Sequence, residues 1–215
     1  MNLDIASYYA RRASEYEKIY EKPDRQADLK FLRRFLPVKF SNKKLLEVAC
    51  GTGYWTQYIA ETAQSIVAID INKEVIEIAQ KKKYPPGKVG FEIVDIYNLA
   101  AFNGLFEAAF GGFIWSHIPV EKLSDFIDVV HERVLKNGLI IFVDNKYVEG
   151  SSTPVFKTDD AGNTYQRRRL QDNTEHLVLK NFPKAEEISR LLSSRATDLE
   201  YIELENYWVI KYRKA

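Results

Sequence analysis

Three short runs of the chain end where chemistry could begin. LLEVACGTG (45–53) is an apolar run that carries one acid, Glu47, and then breaks into Gly51 and Gly53. SIVAID (65–70) and VGFEIVD (89–95) each finish on an aspartate, Asp70 and Asp95. Glycines at a bend let the backbone approach a ligand closely and reach positive φ. A helix starting just beyond offers free amides and a positive dipole end, which suits an anion. A carboxylate at the end of the next strand can accept from two ribose hydroxyls.

Two ligand classes fit such a bend. A dinucleotide carries a pyrophosphate, and its fingerprint is G-x-G-x-x-G after a strand. Gly51 and Gly53 satisfy that spacing, but the closing position is Thr56, and Tyr54 and Trp55 would crowd a pyrophosphate. The other class carries an amino acid moiety. Its carboxylate could accept from the bend's amides and from the Thr56 hydroxyl.

These residues need a frame. From residue 44 onward the pattern alternates: strands at 44–49, 65–70, 89–95, 106–114 and 139–144, helices at 54–62, 72–82 and 119–135. Such alternation implies parallel pairing with right-handed crossovers. Asn72 is the expected cap of the 72–82 helix, and Asn137-Gly138 the expected close of the long helix before it. The tail holds a helix at 185–194 and aromatic strands at 199–204 and 207–212, whose two-residue gap permits only an antiparallel hairpin. Ahead of the alternation, Ile5, Tyr9, Tyr16 and Tyr20 share a helical face. A second amphipathic helix follows Pro23 and is expected to stop at Pro37. The expected fold is α/β: a Rossmann-like three-layer sandwich with a mostly parallel seven-stranded sheet and an antiparallel C-terminal hairpin. One domain covers 1–215, with a helical cap over about 1–40 and an inserted hairpin over about 146–183 that could wall the site.

Composition narrows the partners. The 215 residues carry a formal charge of +1, so no global field points to nucleic acid or an anionic membrane. No apolar run approaches a membrane span. The N-terminus lacks the apolar region of a signal peptide, and the expected location is cytoplasmic. The one cysteine, Cys50, forms no internal disulfide, and no metal cluster is apparent in the spacing of His117, His131 and His176. Oligomeric state is not legible.

LLEVACGTGYWT, VAIDIN, FEIVDIYNL, FEAAFGGFIWSHIP and LKNGLIIFVD resemble, in order and spacing, the signature segments of class I S-adenosylmethionine-dependent methyltransferases. The resemblance covers about residues 8–144 and departs at Ala49, where the family usually has glycine. It implies S-adenosylmethionine as cofactor and methyl transfer to a small-molecule acceptor by in-line displacement. It implies that Ala49, Gly51, Gly53 and Thr56 form the binding bend, that Asp70 with Ile71 holds the ribose, and that Asp95 with the Ile96 amide reads the adenine. Glu47 and Gly112 belong near the cofactor's amino end, and Tyr16 covers its methionine end. Trp115 and His117 border the acceptor pocket, with His117 a candidate general base.

Each residue also has a plainer role. Asp70 could cap a helix, Asp95 a turn, and Glu47 could sit in a structural ion pair. Gly111 and Gly112 could mark a bulge, His117 could be a cap, the tyrosines could be core, and Cys50 packing. On the inserted strand Arg168 points opposite to Arg167 and Arg169, with His176 across from it. Arg168 and His176 are candidates for holding a carboxylate or phosphate on the substrate, or merely a charged strand edge. Two rival readings stay open: a nicotinamide-dependent oxidoreductase, which gives Asp95 no task, and a non-catalytic binding module of the same fold.

Overall fold

The computed structural model describes residues 3–101, 104–170 and 172–215. Helix α1 (Leu3–Arg12) runs into a 3-10 helix over Ala13–Glu21, and a 3-10 turn at Pro23–Arg25 leads into α2 (Gln26–Lys39). Then come β1 (Lys44–Val48), α3 (Tyr54–Ala60), β2 (Ser65–Asp70), α4 (Lys73–Gln80), β3 (Val89–Ile93) and β4 (Phe106–Gly112). Helix α5 (Leu123–Glu132) precedes β5 (Val134–Asn145). A small sheet of β6 (Lys157–Thr158), β7 (Thr164–Arg169) and β8 (Glu175–Leu179) follows. The chain closes with α6 (Ala185–Leu192), β9 (Ala196–Glu203) and β10 (Tyr207–Lys214).

The large sheet has the order β3-β2-β1-β4-β5-β10-β9. β1 to β5 pair in parallel, and β10 pairs antiparallel with both β5 and β9. Both faces are covered, which is why the central strands read as continuous apolar runs. Leu45, Ala108, Phe110 and Ile141 pack against Leu29, Leu32 and Leu36 of α2 and Ile59 of α3. Leu46, Ile140, Phe142 and Trp208 pack on the other side against Phe126 and Val130 of α5 and Leu192 of α6. The seven-stranded sandwich with its antiparallel hairpin matches the expectation.

Two expected boundaries move. Pro37 does not stop α2 but lies inside its last turn. There its missing N–H costs only the bond to the Arg33 carbonyl; the Phe40 amide still donates to Leu36 at 3.1 Å, and the Thr62 hydroxyl donates to the Pro37 carbonyl at 2.6 Å. Asn137-Gly138 does not cap a helix. Helix α5 has already ended, and the pair lies in an irregular stretch of β5 where partners jump from Phe106↔Val134 to Ala108↔Leu139. Asn137 takes φ 61°, and a Cβ on Gly138 would meet Val134 Cγ1 at 2.4 Å.

The N-terminal segment and the small sheet meet across the large sheet's carboxyl rim. Tyr8 packs on Leu170 and Val178, and Arg11 pairs with Asp172. Glu17 accepts from the Thr52 hydroxyl at 2.6 Å and pairs with Lys82, tying this cap to the glycine bend.

Candidate functional site

Strand order reverses between β1 and β4, and a cleft of about 730 Å³ opens beyond their carboxyl ends. Ala49, Gly51, Asp70, Ile71, Ile96 and Gly112 line it, with Tyr16 and His117 closing one end. The first six follow or end four different strands, while Tyr16 and His117 come from 3-10 helices, so only the folded sheet brings them together.

The bend is built by left-handed backbone: φ is 52° at Ala49, 56° at Gly51 and 72° at Gly53. The Cys50 amide donates to the Ile69 carbonyl at 2.9 Å, and the Gly53 amide to Cys50 at 3.0 Å. A Cβ at Gly53 would also stand 2.5 Å from the Tyr84 hydroxyl and 3.0 Å from Ala79 Cβ, so Tyr84 would have to move aside. Cys50 is buried, and burial, with Glu47 and Asp70 nearby, pushes its thiol well up. It is therefore an unreactive packing residue.

Asp70 is nearly buried and accepts from two amides, Gly51 at 3.0 Å and Asn72 at 2.9 Å. Burial raises its carboxyl pKa while those amides oppose the rise. The Asn72 side chain makes no capping bond. The cap expected of Asn72 is not formed; Asp70 instead closes a turn onto the Asn72 amide just ahead of α4 while remaining on the cleft wall. Asp95 begins a 3-10 turn over Ile96–Ala101 and accepts from the Tyr97 amide at 3.1 Å. Its neighbours Val94 and Ile96 line the cleft.

Glu47 is 1% exposed on the β1 face toward α3. Its Oε2 and the Oγ1 of Thr56 lack hydrogen-bond partners among the described residues. Burial raises the Glu47 pKa to about 8, with Thr56 and Lys82 pulling the other way. Glu47 and Thr56 lie side by side beneath the first turn of α3, behind the cleft wall, while the cleft itself is lined by Ala49, Gly51, Asp70 and Gly112. The cleft residues therefore fit the cofactor that the sequence resemblance implies.

The acceptor end differs from expectation. Phe113 takes φ 62°, and this turn sends Trp115 to the far side of the sheet, into the core with Phe126, Phe142 and Trp208. Trp115 does not reach the cleft. His176 lies opposite Arg168 as its register predicts, yet it packs on Tyr8 and meets the Thr174 hydroxyl at 3.0 Å outside the cleft. Arg168 turns inward while Arg167 and Arg169 are exposed.

His117 is buried at the cleft's end. Its Nδ1 lies 2.6 Å from the Leu179 carbonyl, which can only accept, so Nδ1 carries the proton and Nε2 accepts from the Tyr9 hydroxyl at 2.7 Å. Burial, then Lys180 and Arg168, hold its pKa well below the usual histidine value. Sequence reasoning missed the group beside it. Lys180, 4% exposed, donates to Ser116 Oγ at 2.5 Å and to Asp144 at 3.0 Å. Burial pushes Lys180 down to about 8 even though Asp144 opposes. Asp144 stays low because Lys180, His117 and the Ser116 and Asn145 amides outweigh its burial. The only signal was a lysine closing the apolar run HLVLK. Among the described residues no cluster of His, Cys, Asp and Glu could hold a metal.

The comparisons agree with this geometry. A family model described as a methyltransferase domain matches residues 45–138. A putative methyltransferase, YqeM of Bacillus subtilis (strain 168), is 28% identical over 100 residues, 46% of this chain and 39% of its own length. A malonyl-[acyl-carrier protein] O-methyltransferase of Hamiltonella defensa is 26% identical over 64% of this chain and 50% of its own. The chain thus spans less than two thirds of the length of the curated relatives it matches. The solved complex of DhpI with SAH superposes over 99% of this chain and 96% of its own, with a TM-score of 0.78 and 25% identity.

The fold and the cleft define a class I methyltransferase architecture, from the strand order to the glycine bend. Residues 45–138 match the methyltransferase-domain family, and the whole chain has the fold of class I S-adenosylmethionine-dependent methyltransferases.

Proposed function

We propose that this protein transfers a methyl group from S-adenosylmethionine to a small-molecule acceptor held between the N-terminal segment and the inserted sheet. The observation that carries the reading is the left-handed bend around Gly51 paired with Asp70 across one cleft at the strands' carboxyl ends. Asp70 would hold the ribose, and the Ile96 amide would read the adenine beside Asp95. Tyr16 and Gly112 would enclose the methionine end. When bound, the sulfonium supplies an already activated methyl group. The chain then contributes alignment and exclusion of water rather than acid-base power. The DhpI structures described as SAH and SAM-HEP complexes support this reading, as does the near-complete overlap with them. No described helix is long and apolar enough to cross a membrane. The near-neutral charge favours a small acceptor over nucleic acid.

The test is a thermal melt with S-adenosylmethionine, S-adenosylhomocysteine or NAD, since only a ligand of the folded state raises the midpoint. The two adenosyl compounds should raise it and NAD should not. A rise with NAD alone would establish the oxidoreductase reading instead.

A further inference from the structure

Behind the cleft lies a second, narrower chamber. It shares Tyr9, Tyr16, Phe113 and His117 with the cleft, so the two spaces are continuous. Arg12, Arg168 and Lys180 line it, and no carboxylate does. The chamber leads outward to a wider basin lined by eight lysines and arginines and one acid, Glu15. The chain as a whole carries only +1. Positive charge is therefore concentrated along one route to the methyl-transfer site, the arrangement that draws in and retains anions.

The cations are differently committed. Lys180 is matched by Asp144, and Arg25, behind it, by Asp24. Arg168 has no carboxylate within ion-pair distance among the described residues. Gln166 Oε1 accepts from its Nε and Nη2 at 3.2 and 2.7 Å, and Tyr9 Oη lies 3.4 Å from Nη1. Those bonds, with the Tyr8 hydroxyl beside them, fix the guanidinium plane with neutral partners alone. A guanidinium held by neutral partners and turned into a chamber is prepared for an oxyanion, for which its fork is suited. His117 is not prepared as a base, because both ring nitrogens are already engaged.

Resting on the methyltransferase reading above, we propose that the acceptor is a small oxyanion, a carboxylate or a phosphate or phosphonate group, held by Arg168 with Arg12 and Lys180 and methylated on oxygen. Its oxygen forms the new O–CH3 bond as the methyl–sulfur bond breaks and that bond's electron pair remains on sulfur. Anion and sulfonium charges cancel, the products are a methyl ester and a neutral thioether, and no proton is released. That balance explains a transfer site with no free base.

The experiment first loads the protein with S-adenosylhomocysteine, confirmed by calorimetric titration; failure to load would count against the methyltransferase reading itself. The loaded protein is then titrated with inorganic phosphate, methylphosphonate, propionate and propionamide. The proposal expects at least one anion to bind more than tenfold tighter than propionamide. The phosphorus and carboxylate arms tell the two sources apart. Arg168→Gln should weaken that anion at least tenfold while leaving S-adenosylhomocysteine affinity within threefold. If Arg168→Gln no longer loads, Arg12→Gln, on the half-exposed side of the chamber, gives the same comparison. A loaded protein that binds no anion better than propionamide, or an anion affinity indifferent to both substitutions, overturns the proposal.

Discussion

The carboxylate of Asp70 and the amide of Gly51 meet at 3.0 Å across the mouth of the cleft. One side chain at the end of β2 thereby sets the shape of the bend after β1 and closes the turn that leads into α4. Asp70→Ala should unbind both amides, at about 1–2 kcal/mol of stability. It should also lower S-adenosylhomocysteine affinity by roughly a hundredfold, since bonds to a charged acceptor are worth about 1.5–3 kcal/mol each. Asp70→Asn should fall between. Calorimetric titration and thermal melts of the three proteins check this; equal affinities would remove Asp70 from the binding site.

Glu47 predicts an unusual pH dependence. Its folded pKa of about 8 lies above its ordinary value, so the folded state holds the proton more tightly than the unfolded chain. Stability from this group is therefore greatest in acid and declines as pH rises through the ordinary glutamate range toward about 8. Glu47→Gln keeps the shape of the protonated acid and should flatten that decline, leaving the variant about 1–3 kcal/mol more stable at pH 8.5 without ligand. Urea melts at pH 5.5 and 8.5 read this effect. A variant as pH-sensitive as the parent contradicts it.

Ala49 is an L-residue at φ 52° where an alanine is strained by about 1–2 kcal/mol. Glycine there relieves the strain but adds freedom to the unfolded chain worth about 0.5–1 kcal/mol. Ala49→Gly should thus be neutral to about 1 kcal/mol stabilising, unlike a typical Ala→Gly change. A loss above 1 kcal/mol in a denaturant melt would show that the methyl group is needed for packing.

Lys180 loses its proton near pH 8, with Asp144, Arg168 and His117 as its charged or titratable neighbours. Once an anionic acceptor is identified, its KM should rise as pH passes about 8 while kcat stays level between pH 6 and 9. No limb should appear near 6.5, because His117 does not titrate there. A kcat limb near that pH would restore His117 as a base.

The cofactor cleft was legible in the sequence because its determinants are local. A glycine pair after an apolar strand, and aspartates ending the next two, mark positions that any parallel sheet of this order gathers on one rim. The anion chamber was not legible. Arg12, Arg168 and Lys180 come from an N-terminal helix, an inserted strand and the residue after β8, and nothing in their spacing shows that they face one space. Trp115 misled for a backbone reason. The resemblance carried it to the edge of the acceptor pocket, whereas the chain beyond the left-handed Phe113 packs it into the core on the α5 side of the sheet. Pro37 misled because a proline near a helix end loses a single bond, which a short terminal turn tolerates. Asn137-Gly138 carries the residue types of a helix cap, yet the chain uses them for an irregularity inside β5.

The central claim is most directly tested by a crystal structure of the protein grown with S-adenosylmethionine. The account predicts the methionine end of the cofactor between Tyr16 and Gly112, both ribose hydroxyls on Asp70 and the methyl group aimed toward Tyr9 and Arg168. A cofactor lodged elsewhere, or with its ribose away from Asp70, would contradict it.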